Sequence, residues 1–159
     1  LAELAGGRAE LFYAPTFVSN PELKKELIAE PSVTAALQRA RQCQIILQSV
    51  GPIDESALIF KYGLLSAAEL QELRQIGVVG DAMGHYFDVN GKPVKTIIDD
   101  RVIGLDLEDL YHVPWSVLIG GGSEKVVPID SAMRGKLFNV LITNYKTAQA
   151  LLEEKIDAK

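Results

Sequence analysis

Three short segments of the chain combine the residue types that hold small polar molecules. The first is Ile119-Gly-Gly-Gly-Ser-Glu-Lys125, ahead of a helical pattern. Its glycines let the backbone approach a ligand closely, and the free N–H groups of a helix start attract an anion. Lys125 falls in the first helical turn, where the macrodipole disfavours a cation. An anionic or polyhydroxylated ligand would offset that cost, although a flexible turn with a solvated Lys fits the spacing equally well. The second segment is Val78-Val-Gly-Asp-Ala-Met-Gly-His-Tyr-Phe-Asp88. Asp81 follows a short apolar strand between Gly80 and Gly84, where a carboxylate can accept hydroxyl hydrogen bonds. Spacing alone favours the plainer reading of a turn or cap aspartate. His85 reads first as a packing residue of a half-buried strand, and Asp88 as a hairpin residue. The third segment, Gln48-Ser-Val-Gly51-Pro52, ends an apolar run. Gly51 permits close backbone approach and Ser49 offers a hydroxyl, yet a plain loop is the simplest reading.

Other chemistries lack their residues. The chain has no CxxC pair, HExxH helix, GxSxG turn, Walker loop or GxGxxG fingerprint, and its two histidines, His85 and His112, show no metal-ligand spacing. No metal and no cofactor are expected. The one cysteine, Cys43, precedes a strand and is expected to be an inert core thiol in a reducing, cytoplasmic setting. Trp115 opens an apolar strand and is expected in the core or an interface.

These segments need elements to position them. Candidate strands are Glu10–Ala14, Gln44–Ser49, Val78–Gly80, Tyr86–Asp88, Val94–Ile98, Ser116–Gly120 and Asn139–Thr143. Runs such as IILQSV and SVLIG are apolar on both faces, the pattern of strands covered by helices on both sides. Asn90-Gly91 between Tyr86–Asp88 and Pro93–Ile98 suggests a hairpin with a type I′ turn. Helix starts are marked by Asn20-Pro21, by the capping box Ser66-Ala-Ala-Glu69 and by Asn144, and Gly77 marks a stop. Strand–helix alternation predicts an α/β fold, a mainly parallel sheet flanked by helices with one antiparallel hairpin. Ligands of such sheets bind beyond the carboxyl ends of the strands, where the three segments fall.

Composition narrows the function. The chain has 159 residues, 48% hydrophobic and 23% charged, which suits one ordinary globular domain. Sixteen Lys and Arg against twenty-one Asp and Glu give a net charge of −5, unsuited to gripping phosphate backbones. No apolar run nears the ~20 residues of a membrane span. The chain starts at Leu1 rather than Met, so it is expected to be a piece of a longer protein.

Taken in order, these motifs resemble the effector-binding domain of the SorC family of bacterial sugar-responsive transcription regulators. The resemblance runs from Tyr13-Ala-Pro-Thr-Phe-Val through Glu30-Pro-Ser-Val, Ser49-Val-Gly51 and Val79-Gly-Asp81-Ala-Met-Gly84-His-Tyr-Phe-Asp88 with Asn90-Gly91. It continues through Val102-Ile-Gly104, Gly121-Gly-Ser-Glu-Lys125 and Leu141-Ile-Thr143 to Thr147-Ala. It implies a fold like the sugar-phosphate isomerases and allosteric control of DNA binding by a sugar or sugar phosphate. By motif, Asp81 and Lys125 match positions that contact sugar hydroxyls and phosphate, and Gly51 and Gly80 match backbone positions lining the same cleft. Residues 1–159 would be the C-terminal part of the effector domain, without the family's N-terminal helix-turn-helix and phosphate loop. DNA would then be held only by a segment outside this chain, and a dimer or tetramer is expected. Pro128, where the family has a small residue, is expected to delay or bend the helix after the glycine loop. The competing expectation is a sugar-phosphate isomerase or deaminase of the same fold, with Asp81 as its general base.

Overall fold

The computed structural model describes residues 2–157, with side chains through Glu153; Leu1, the expected cut end, lies outside the described residues. In chain order the elements are α1 (Pro21–Ala29), α2 (Pro31–Arg41), β1 (Ile45–Gln48), β2 (Val50–Pro52), α3 (Leu58–Lys61), α4 (Ala67–Gln75), β3 (Val78–Ala82) and β4 (His85–Asp88). They continue with β5 (Trp115–Ile119), α5 (Val126–Arg134), β6 (Val140–Ile142) and α6 (Tyr145–Asp157). Short 3₁₀ helices cover Asp99–Arg101, Leu107–His112 and Ser123–Lys125. No described helix is long and apolar enough to cross a membrane.

The expected caps do close the helices. Asn20 accepts from the Leu23 N–H at 2.9 Å, with Pro21 at the first helical position. Ser66 and Glu69 satisfy each other's backbone N–H groups, at 3.2 and 2.8 Å. Asn144 accepts from Thr147 at 3.0 Å. Pro128 is the third residue of α5, where its missing N–H has no intrahelical partner to lose, and the helix starts only after the 3₁₀ turn.

The fold is mixed α/β, built on two three-stranded sheets. One is parallel in the order β1-β5-β6; the other is antiparallel in the order β2-β3-β4. The antiparallel part is thus a full sheet, because Val50–Pro52, read as a loop, pairs with β3. The main core holds Val50, Ala82 and Phe87 of the antiparallel sheet, Leu118 of the parallel one, Ile129 and Ala132 of α5, and Leu151 of α6.

Four expectations need correction. Glu10–Ala14 is not a strand: no described strand pairs with it, and its Leu11 and Tyr13 are exposed. Val94–Ile98 is not a strand either, since pairing stops at a single Phe87–Pro93 bridge and a Val94 N–H to Tyr86 bond. Pro93 has no N–H to extend a ladder, and Asp99 draws the Thr96 N–H into a local turn. The two-residue turn with positive φ at both positions is Met83-Gly84 (φ 55° and 83°), between β3 and β4. At Asn90-Gly91 only Gly91 has positive φ, and the Asp88 carboxylate holds that turn by accepting from Asn90 and Lys92. Finally, helices do not cover both faces of the parallel sheet. Ile45, Leu47, Trp115 and Ile142 share one face and are 59, 57, 57 and 53% exposed, so Trp115 is not a core residue. Cys43 is only half-buried.

Candidate functional site

Ser49 is the only residue between β1 and β2, so the chain passes there directly from the parallel sheet into the antiparallel one. A cleft of about 360 Å³ opens beside this joint. Its polar side is made by Ser49, Gly51, Asp81 and Lys125, with Glu124 adjoining; its apolar side by Phe17, Leu58, Ile59, Tyr62 and Leu64. The size suits a small organic molecule.

Register places the acid. Asp81 lies within β3 rather than after it, directly across from Gly51 on β2. A Cβ on Gly51 would collide with the Asp81 carboxylate, so only glycine leaves the acid its place. Burial pushes the Asp81 pKa up to about 6, although the Gly84 N–H, Lys125 and His85 all favour its charged form. The carboxyl is therefore half-ionised near pH 6 and largely charged at neutral pH. Lys125 ends the 3₁₀ turn that follows the triple glycine, and its Nζ donates to Ser49 Oγ at 3.1 Å. The glycine loop is itself anchored, since the Gly122 N–H donates to Thr147 Oγ1 at 2.9 Å.

The structure thus brings Asp81, Lys125 and Gly51 to one cleft. Gly80 is outside its lining: a Cβ there would stand 2.7 Å from Phe87 and 2.9 Å from Pro128, so this glycine lets β3, β4 and α5 pack together. His85 lies behind the cleft wall, buried as the packing reading expected, with its ring against Asp99. Sequence reading missed the apolar wall. Its signal was the run Ala57-Leu-Ile-Phe-Lys-Tyr62, set off by a turn in which Asp54 accepts from the Ser56 N–H at 2.7 Å. Leu58 and Tyr62 remain largely exposed although they face the cleft. One ammonium, two carboxylates and the Ser49 hydroxyl opposite a mainly apolar wall suit a molecule with a hydroxyl-bearing edge and a C–H face.

Comparison with known proteins supplies the family. Residues 1–153 match a family model described as "Putative sugar-binding domain". The deoxyribonucleoside regulator of Bacillus subtilis is 34% identical over 140 residues, 88% of this chain and 44% of that protein. A crystal structure described as the "Putative Sugar-Binding Domain of Transcriptional Repressor from Vibrio fischeri" is 33% identical and superposes with a TM-score of 0.87. That match covers 96% of this chain and 61% of the other. The full-length sorbitol operon regulator SorC from Klebsiella pneumoniae, at 24% identity, shares the fold with a TM-score of 0.85 over 92% of this chain and 48% of its own. The chain spans about half the length of the curated relatives it matches. With nearly its whole length matched and relatives of this kind, the chain belongs to the sugar-binding domain family of SorC- and DeoR-type transcriptional regulators.

Proposed function

We propose that this chain is the effector-sensing part of a bacterial transcription regulator, binding a sugar or sugar phosphate in the cleft between Asp81 and Lys125. The observation that carries this reading is the convergence of those two side chains, one from the antiparallel sheet and one from the turn that follows the parallel sheet, on one cleft in a member of a sugar-binding domain family. Asp81 would accept from sugar hydroxyls, Lys125 would meet phosphate or hydroxyl oxygens, and Gly51 would keep the acid in place. Binding energy would shift the quaternary arrangement of a dimer or tetramer and so alter DNA binding by a segment outside this chain. Carbohydrate-operon expression in the cytoplasm would follow the effector.

A sensor binds without turnover, and no catalytic role is assigned to Asp81. The isomerase or deaminase alternative is disfavoured because the relatives are regulators and, among the described residues, no titratable side chain is hydrogen-bonded to Asp81. Calorimetry with pentose and hexose phosphates and their unphosphorylated parents tests the proposal. Lys125→Ala should weaken the best ligand by ~1.5–3 kcal/mol with little change in folding stability. Binding unaltered by that change would remove Lys125 from the site, and steady turnover abolished by Asp81→Asn would favour an enzyme.

A further inference from the structure

His85 is 7% exposed and has no part in the cleft's lining, yet it lies on the same hairpin as Asp81, four residues along and across the tight Met83-Gly84 turn. Its ring sits between two carboxylates from another part of the chain: Nδ1 is 2.7 Å from Asp99 Oδ1, and Nε2 is 3.6 Å from Asp106 Oδ1. An imidazole with its proton on Nδ1 donates to Asp99, and a doubly protonated ring serves both acids.

Asp99 is itself fixed. Its second oxygen accepts from the Thr96 N–H and hydroxyl, at 2.6 and 2.9 Å, and its backbone carbonyl accepts from Lys24 of α1 at 2.7 Å. The hairpin is therefore tied through one ring to a rigid anchor. Just before His85, Gly84 turns its N–H toward the Asp81 carboxylate, and it packs so closely on Phe17 and Val102 that a Cβ would stand 2.9 Å from the Phe17 ring.

We propose that His85 is the positioning residue of the cleft: by binding Asp99 it holds Gly84, and through Gly84 it holds the Asp81 carboxylate in place. The ionisable groups facing the ring are Asp99 and Asp106, with Asp81 on its own hairpin and Lys24 and Lys95 in the adjoining wall. The consequence for effector affinity rests on the proposed function; the positioning does not.

Amide hydrogen exchange in the ligand-free chain tests the positioning directly. His85→Leu should speed exchange of the Gly84 N–H at least tenfold relative to core amides such as Leu118 and Ile129. His85→Asn puts an amide donor near the Nδ1 position and should stay within about threefold of wild type. If His85→Leu fails to fold, His85→Gln keeps polarity and bulk but places its donor toward Asp106, and it should behave as the leucine variant was expected to. Unchanged Gly84 exchange, equal acceleration of all core amides, or an asparagine variant as loose as the others would each overturn the proposal. With ribose 5-phosphate as probe, His85→Leu should cost about tenfold in affinity beside Asp81 but under threefold in an Asp81→Asn background. Equal losses in both backgrounds would also overturn it. If wild type binds no sugar or sugar phosphate, the effector reading fails while the exchange result still decides the role of His85.

Discussion

The two sheets solve the same burial problem differently. The antiparallel sheet is closed: Phe87 and α5's Ile129 are 0% exposed, and β3 and β4 are joined by a two-residue turn. The parallel sheet is clad on one side only. Its inner face gives Leu118 to the core, while its outer face shows Ile45, Leu47, Trp115 and Ile142 to water. Large apolar area left in water does not stabilise the fold, so the parallel sheet's hydrophobic stabilisation comes from its inner face, which shares a core with α5 and α6. Strand composition does not by itself report which faces are covered, because β1 is more apolar on its exposed face, Ile45 and Leu47, than on its inner one, Ile46 and Gln48.

The largest expected effect sharpens this contrast. Phe87→Ala or Ile129→Ala should each cost about 3–5 kcal/mol in urea unfolding, as cavities in a closed core. Asp81→Asn comes next and acts in the opposite direction. Its folded pKa of about 6 lies above the ordinary 3.8, so the native state holds its proton more tightly than the unfolded chain. Stability associated with Asp81 is thus full below pH 4, falls between pH 4 and 6, and stays reduced above that. The asparagine variant should therefore be more stable by on the order of 1–3 kcal/mol at pH 8, with the gain vanishing near pH 4. Thermal melts at the two pH values read this, and a gain independent of pH would show that charge is not its cause. Leu47→Thr and Ile142→Thr should change stability least, by under ~0.5 kcal/mol each. A cost comparable with Phe87→Ala would erase the distinction between the sheets. Trp115, the sole tryptophan, offers an optical check: its emission should resemble that of a water-exposed indole.

Much of the fold was legible where signals are local. Asn20, Ser66 and Asn144 bond within three residues of themselves, so their caps can be read without knowing the rest of the chain. The errors came where a partner strand decides. Glu10–Ala14 has strand-like composition without a neighbour, and Val50–Pro52 has loop-like composition with one. Met83 was a poor candidate for positive φ, yet the two-residue connection forces it there. At the site, residue type and flanking glycines singled out Asp81 and Lys125. The reason for Gly80 was opaque, because only tertiary packing shows that its missing side chain faces Phe87 and Pro128. The wall bearing Leu58 and Tyr62 was equally hidden, since apolar residues on a short helix read as core.

The single-residue joint at Ser49 has a mechanical consequence. Lys125 follows the parallel sheet and Asp81 belongs to the antiparallel one, so the two charges ride on opposite arms of a pivot one residue long. Any rocking of one arm against the other must alter the backbone torsions at residue 49 and the span between the ammonium and the carboxylate together. A molecule gripped at both ends would act as a brace across that pivot, turning an occupied cleft into a fixed angle between two rigid slabs.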